Sequence, residues 1–492
     1  MGTTVTKTTF KSDLGRDGGS INVASMSTDL QKAIKASGAN EAEVKKELAT
    51  IAGSDGIIRG QSELGALFKY VDSFDKNGSA SSIATSKDGV DTTSGKLYAA
   101  LKGDADGSRA AASKKGALRF AGDTRLEAVA SGSQVLKVGS KGSSVRKVQE
   151  TLLDMGYKIP GGASGTFDAK TAHAVKQFQR DVGLEADGKV GKDTLGALKQ
   201  TAPAPGKRLE RSAEYDKLYK DGRLDMTVAI GYDEGGAHQA KALEVVNGLK
   251  KDGYKPLDVS KLDAKEKTRL GLTPDRYDPN AQYFHKTFTD PKTGKDVDAV
   301  VRMIEPGTDG KAARDSFKQG LEQDEVVIYA GHARYGTGPD FDDKKSGDGN
   351  FVVDEKGNRH HEKPPAALKK AIKGRKTDLD QLKGRPDYQL VIMNGCSTEE
   401  YLKNLRDPET FKGRNDTNTD LITTSQPTWV ATGGDHVLAF MRGVTSRQNN
   451  SDMLSAHDQI ELDYSKKIGE TSGEQCFGSN GFLNNAENRE VP

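Results

Sequence analysis

Sulfur is scarce in this chain: 492 residues contain two cysteines, Cys396 and Cys476. Two thiols exclude a disulfide framework, though one bond between them is open to the chain. Aromatic residues make up 6% and hydrophobic residues 34%, thin for one large core, and the length calls for about three domains. No apolar run approaches the roughly 18 residues that a membrane span needs, so no span is expected. The opening MGTTVTKTTFKSDLGRDGG lacks an apolar h-region, so no Sec-type signal peptide is expected. Its MGTTVT start fits only the loose myristoylation pattern. Excess charge is missing too, with Lys+Arg 73 against Asp+Glu 71 and a formal charge of +2. That gives no electrostatic basis for nucleic acid or an anionic membrane as partner. Glycine, at 56 residues, is plentiful and points to many turns and connectors.

The chain reads as a series of units. Residues 1–26 are polar and Gly-rich, a disordered tail. Region 27–103 is helical, with helices predicted over 27–52, 62–74 and 94–103. Segments SDGII (54–58) and DKNGS (75–79) have the flavour of calcium loops but lack the required oxygen ligands together, so a metal-free helical pair is expected. A Gly/Ala/Ser/Lys linker covers 104–133. Residues 134–200 form a small helical domain. Residues 201–225, with a stiff APAP, connect it to an α/β domain over about 226–465, and 466–492 is a C-terminal tail.

In the small domain Val145, Val148 and Leu152, then Ala174, Val175 and Phe178, recur at three- and four-residue spacing, giving two amphipathic helices. Phe167-Asp168-x-x-Thr171 and Val190-Gly191-x-x-Thr194 read as an internal repeat, each opening a helix. Residues 136–198 resemble the three-helix type of peptidoglycan-binding domain. The resemblance is carried by Gly139, Gly142, Val145, Val148, Gln149, Leu152, Gly156-Tyr157, Gly165, Phe167, Thr171, Phe178-Gln179, Asp187-Gly188 and Thr194. It implies a binding module whose ligand is peptidoglycan or a related wall glycan-peptide, held in a groove between helices. Tyr157, Gln177, Arg180 and Asp187 are the candidate exposed contacts.

The α/β domain alternates apolar strands with amphipathic helices. Strands are predicted at 226–236, 299–304, 326–331, 388–396 and 420–425, and helices at 238–254, 313–323 and 436–444. This order predicts a mostly parallel sheet with helices on both faces. Two strands end on reactive side chains: VVIYAGHARYG delivers His332 and LVIMNGCSTEEY delivers Cys396. In open α/β sheets function collects at such strand ends. A thiol must become a thiolate to attack a carbonyl, and a neighbouring imidazole can take its proton. The backbone N–H groups of Cys396 and Ala333 are placed to hold an oxyanion. Among the other histidines, His360-His361 fall in a charged loop, His436 in a helix start and His457 after a mobile stretch. No short ligand spacing supports a metal site, and no cofactor is implied.

The Gly331-His332 and Asn394-Gly395-Cys396-Ser397 contexts resemble the caspase–gingipain clan of cysteine peptidases. The resemblance implies a caspase-like α/β/α domain with a His332–Cys396 dyad. It also implies specificity residues near Asp233-Glu234, Glu399-Glu400 and Trp429, where the acidic side chains would favour a basic residue before the scissile bond. One departure is Ala333, where glycine is usual; alanine resists positive φ.

The expected fold class is therefore multidomain, α and α/β. The expected function is a cysteine endopeptidase targeted by a wall-binding module, acting on a protein or peptide through a thioester. Two alternatives stay open: a non-catalytic scaffold, favoured by Ala333, and an amidase of wall stem peptides. The expected location is bacterial, either wall-associated through a non-classical export route or cytoplasmic.

Overall fold

Apolar runs too short for helices and helices with one oily stripe dictate most of what is seen in the computed structural model of the protein. It describes residues 4–6, 21–22, 41–52, 57–58, 67, 82–84, 117–233, 235–305, 309–333, 339–341, 387–401, 405, 418–470 and 477–492. The chain divides into two units, Met1–Glu210 with Asn488–Pro492, and Arg211–Glu487.

In the first unit, β1 (Thr4–Thr6) pairs antiparallel with β4 (Ser82–Ala84), and β2 (Ile21–Asn22) with β3 (Ile57–Ile58). Strand pairing therefore reaches into the stretch expected to be a disordered tail. Helix α1 (Glu41–Ala52) buries Val44 and Leu48, four residues apart on one face. The helices predicted over 62–74 and 94–103 lie outside the described residues, apart from the buried Leu67.

The last part of the expected linker is ordered. Helix α2 (Thr124–Ala130) buries Leu126 and Val129, and Asp123 caps it by accepting the Leu126 N–H at 3.1 Å. Helices α3 (Ser143–Asp154), α4 (Ala169–Asp181) and α5 (Lys192–Thr201) follow. Their core includes Val145, Val148, Leu152, Phe167, Val175, Phe178, Leu195 and Leu198.

The internal repeat has a physical basis. Gln149 Nε2 donates to the Thr166 carbonyl (3.0 Å) and Thr171 Oγ1 (2.9 Å), while its Oε1 accepts the Gly165 N–H (2.7 Å). Gln179 does the same with Lys189, Thr194 and Gly188, at 2.9, 3.0 and 2.9 Å. Gly165 and Gly188 both sit at positive φ, +75° and +74°. Each buried amide thus fastens one left-handed turn to the helix that follows it. The unit also contains β5 (Arg208–Glu210), paired antiparallel with β14 (Arg489–Val491).

The second unit is a three-layer α/β/α sandwich around an eight-stranded sheet. Its strands are β6 (Arg223–Ile230), β7 (Lys255–Pro256), β8 (Gln282–Thr289), β9 (Asp296–Ile304), β10 (Val326–Ala330), β11 (Gln389–Asn394), β12 (Thr419–Thr424) and β13 (Phe477–Asn480). The order is β13-β12-β11-β10-β6-β9-β8-β7. Strands β12, β11, β10, β6 and β9 are parallel neighbours; β8, β7 and β13 join antiparallel to their neighbours. The sheet is thus mixed, with a parallel centre.

Helices α6 (Ala237–Lys251) and α8 (Gly433–Thr445), with α9 (Asn450–Ile468), cover one face through Val245, Leu249, Val437, Phe440 and Met453. Helix α7 (Gly310–Gln323) covers the other through Ala313, Phe317 and Leu321. The expected C-terminal tail instead supplies the end of α9 and the edge strand β13, whose residues are buried. Among the described residues no helix is long and apolar enough to cross a membrane.

Candidate functional site

The chain runs from β6 to β9 on one side, then returns through α7 to β10 on the other side of β6. The direction of winding reverses between β6 and β10, and that is where an open α/β sheet leaves a crevice beyond its carboxyl strand ends. A cleft with about 380 Å³ of non-atom space, partly open to solvent, occupies this place. Its lining includes Ile230 of β6, Ala330 of β10 with Gly331 and His332 just after it, and Asn394 of β11 with Cys396 beyond it. His238 and Lys241 from α6, and Thr428, Trp429, Val430 and Gly433, complete it.

Strands β10 and β11 run parallel with Val326 opposite Leu390 and Ala330 opposite Asn394. His332 and Cys396 each come two residues after these strand ends, and both line the cleft. Cys396 is a half-buried free thiol. Three glycines form a row across the sheet edge just before these residues. Gly231, Gly331 and Gly395 follow β6, β10 and β11 in register. A Cβ on Gly395 would lie 2.5 Å from the Gly331 carbonyl oxygen, and one on Gly331 would lie 2.8 Å from the Gly231 Cα. No larger residue lets the strand ends approach this closely.

Hydrogen bonds fix both strand ends. Tyr329, fully buried, donates its hydroxyl to the His332 carbonyl at 2.7 Å and accepts the Asp340 N–H at 3.0 Å. Past the cysteine, Ser397 takes a left-handed φ of +55° and donates its N–H to the Gln426 carbonyl at 3.2 Å. Thr398 donates to the Met393 carbonyl at 2.6 Å and accepts the Thr424 N–H at 2.8 Å. Cys396 therefore stands at a sharp turn tied to β12 on its far side. A non-glycine residue held at positive φ is uncommon, and such positions cluster at functional sites.

A second imidazole was not singled out from the sequence. The His238 ring lies 4.6 Å from the His332 ring, tilted by 48°. His238 is 4% exposed and sits in the first turn of α6. Its Nδ1 is 3.9 Å from Asp233 Oδ2. Asp233 accepts the N–H of His238 at 2.7 Å and of Ala237 at 3.3 Å, serving the open start of α6. Burial opposes its ionisation. The His238 N–H, the His238 ring charge and the N–H groups of Ala237 and Gly235 outweigh that and hold the carboxyl below its ordinary range. Helix periodicity alone gives His238 no chemical signature; only the register of β6 against β10 places it here.

Of the residues expected to form a specificity pocket, Trp429 lines the cleft. Asp233 is buried and engaged in capping α6. Glu399 is half-buried in the short turn Thr398–Tyr401, away from the lining, and Glu234 lies outside the described residues. Among the described lining residues the charged side chain is Lys241, whose Nζ donates to both carboxylate oxygens of Glu244 at 2.7 Å. Among the described lining residues no carboxylate appears, and Asp233 serves backbone N–H groups. Ala333 is buried, at 1% exposure. Cys476 and His360-His361 lie outside the described residues. His436 and His457 are buried against each other on α8 and α9. No cluster of metal-ligating side chains occurs among the described residues.

In the small domain Tyr157 needs correcting as an exposed contact. It is 3% exposed, its ring meets Phe178 edge-on at 5.8 Å, and its hydroxyl donates to Asp181 at 2.7 Å. Burying a tyrosine demands such a partner. Gln177 and Arg180 are half-buried on α4, and Gln177 Nε2 meets a His173 ring nitrogen at 3.1 Å. Asp187 is exposed, with Oδ1 accepting from Gln179 Nε2 and the Lys189 N–H, both at 2.9 Å.

Residues 141–198 match the sequence model of the family described as "Putative peptidoglycan binding domain". Two curated proteins of Bacillus licheniformis are similar over short stretches. One, "Probable N-acetylmuramoyl-L-alanine amidase", is 40% identical over 87 residues, 18% of this chain and 25% of that protein. The other, "N-acetylmuramoyl-L-alanine amidase CwlL", is 35% identical over 81 residues, 15% of this chain and 22% of that protein. The matched stretch thus covers about a quarter of each relative's length. No solved structure gives a significant match.

Proposed function

We propose that the protein is a cell-wall-directed hydrolase in which Cys396 is the nucleophile and His332 the general base. The observation that supports this is that both residues line one cleft, just past the ends of the paired strands β10 and β11. In the first step His332 takes the Cys396 proton and the thiolate adds to an amide carbonyl. The oxyanion so formed is held by backbone N–H groups at Cys396 and Ala333. Collapse expels the amine, which leaves with the proton from His332, and a thioester remains. Water, deprotonated by His332, hydrolyses the thioester and restores the thiol. The fold class and the short Gly-His and Gly-Cys-Ser contexts support a caspase-like cysteine peptidase as the finer reading.

The second reading keeps the dyad and changes the substrate to the amide bonds of wall stem peptides. The peptidoglycan-binding family match and the two amidase relatives favour it. In both readings residues 141–198 bring the chain to the wall, with Gln177, Arg180 and Asp187 as proposed contacts. One paired assay separates them. Wild type and Cys396→Ala are incubated with a peptide library and with purified sacculi. Cysteine-dependent cleavage of library peptides supports the peptidase, and cysteine-dependent release of soluble muropeptides supports the amidase. Sacculus binding without turnover of either would leave a scaffold and end both readings.

A further inference from the structure

Trp429, which walls the cleft, is fastened from behind by groups that the proposed chemistry does not use. Its backbone N–H donates to Glu461 Oε2 at 3.1 Å, and its indole Nε1–H donates to Ser465 Oγ at 2.9 Å. Glu461 and Ser465 lie four residues apart on α9, on one face, and both are 1% exposed. The Thr432 hydroxyl bridges the Trp429 carbonyl, at 2.7 Å, and Glu461 Oε1. The turn Val430–Thr432 that follows Trp429 is therefore pinned to the same carboxylate.

That carboxylate is also met by one histidine, which in turn contacts a second. His436 Nε2 lies 2.7 Å from Glu461 Oε1, and His436 Nδ1 lies 2.8 Å from His457 Nδ1. Both rings are 0% exposed. Phe440 stacks on His457 at 3.4 Å, and Phe477 lies 4.8 Å from the His436 ring. Asp458, next to His457 in α9, accepts the Phe477 N–H with Oδ1 at 3.2 Å. Asp435, next to His436, is exposed.

One carboxylate therefore ties the Trp429 backbone, the Thr432 hydroxyl and a buried histidine of α8 together. We propose that Glu461 is a positioning residue that holds the Trp429 wall of the cleft in place. Its consequence for turnover rests on the proposed activity at Cys396; the latch itself does not.

Trp429 is the single tryptophan of the chain, so intrinsic fluorescence reports on the latch alone. Emission and acrylamide quenching are measured on the full chain, with far-UV circular dichroism alongside. Glu461→Leu is expected to be red-shifted and quencher-exposed with unchanged dichroism, and Glu461→Gln, which keeps an acceptor for the Trp429 N–H, to stay close to the wild type. Ser465→Ala, a milder change, is expected to raise quenching. Superimposed emission and quenching for wild type, Glu461→Leu and Ser465→Ala, or a shift that appears only with loss of dichroism, would overturn the proposal. None of these readings needs turnover, so they stand or fall apart from the His332–Cys396 dyad.

Discussion

The glycine row gives the sharpest mechanical handle on the site. Gly395→Ala adds one methyl group that would sit 2.5 Å from the Gly331 carbonyl oxygen, 3.3 Å from Ala333 Cβ and 3.4 Å from Thr398 Cγ2. The first contact is with backbone, so no rotamer relieves it. The β10 and β11 ends must part by roughly half an ångström before the methyl reaches a tolerable separation. Overpacking of this kind costs about 1–3 kcal/mol, read as a lower urea midpoint at unchanged slope. A misplacement of about 1 Å can cost around a hundredfold in rate, so half that distance predicts a loss of roughly tenfold in kcat/KM. The companion Gly196→Ala, at a position with open space in α5, is expected to leave turnover unchanged and to stabilise its own unit by up to ~1 kcal/mol. If Gly395→Ala keeps wild-type stability and wild-type rate, the strand ends are not held as close as described, and the argument from their pairing loses its footing.

Two further outcomes follow from the same structure. Asp290 lies at 2% exposure, in the turn between β8 and β9. Burial opposes its ionisation, but hydrogen bonds from Arg447, Thr293 and the Lys292 N–H outweigh it and hold the carboxyl at about 2. Because the folded value is lowered, its stabilising effect is complete above the unfolded value near 4 and is lost as pH falls toward 2. Asp290→Asn is expected to lower stability at neutral pH by about 2 kcal/mol and to flatten the acid limb of a pH series of urea melts; an unchanged limb would count against the Arg447 pairing. Gln149→Ala strips four hydrogen bonds, to Ser164, Gly165, Thr166 and Thr171, and the buried Gly165 N–H alone loses its amide partner at about 1–3 kcal/mol. A drop of several kcal/mol in the melting of the small domain is expected by calorimetry, and Gln179→Ala should match it if the repeat is a true one.

Much of the sheet is legible in the sequence because its centre is parallel. Strands buried on both faces run largely apolar, and β10 and β11 announce themselves that way. The antiparallel additions do not. QYFHKTFT of β8 mixes buried and exposed positions, and FGSN of β13 has the composition of a loop while being fully buried. Their identity comes from pairing with β9 and β12 rather than from local pattern. The side-by-side strand ends of His332 and Cys396 are legible for the same reason as the strands that carry them. His238, Glu461 and the His436–His457 pair are not, since each acquires its neighbours from another element. His436 and His457 are 21 residues apart on separate helices, with no spacing that marks them. Tyr157 misleads because a Gly-Tyr pair after a helix reads as surface, whereas Asp181 waits across the core to receive its hydroxyl.

The central claim is that His332 activates Cys396. It is tested most directly by the rate at which a peptide electrophile alkylates Cys396 at neutral pH in a Cys476→Ser background, compared with the same protein carrying His332→Ala. The account predicts that the parent protein is labelled much faster than His332→Ala. Equal rates, both those of a simple thiol, would contradict the account.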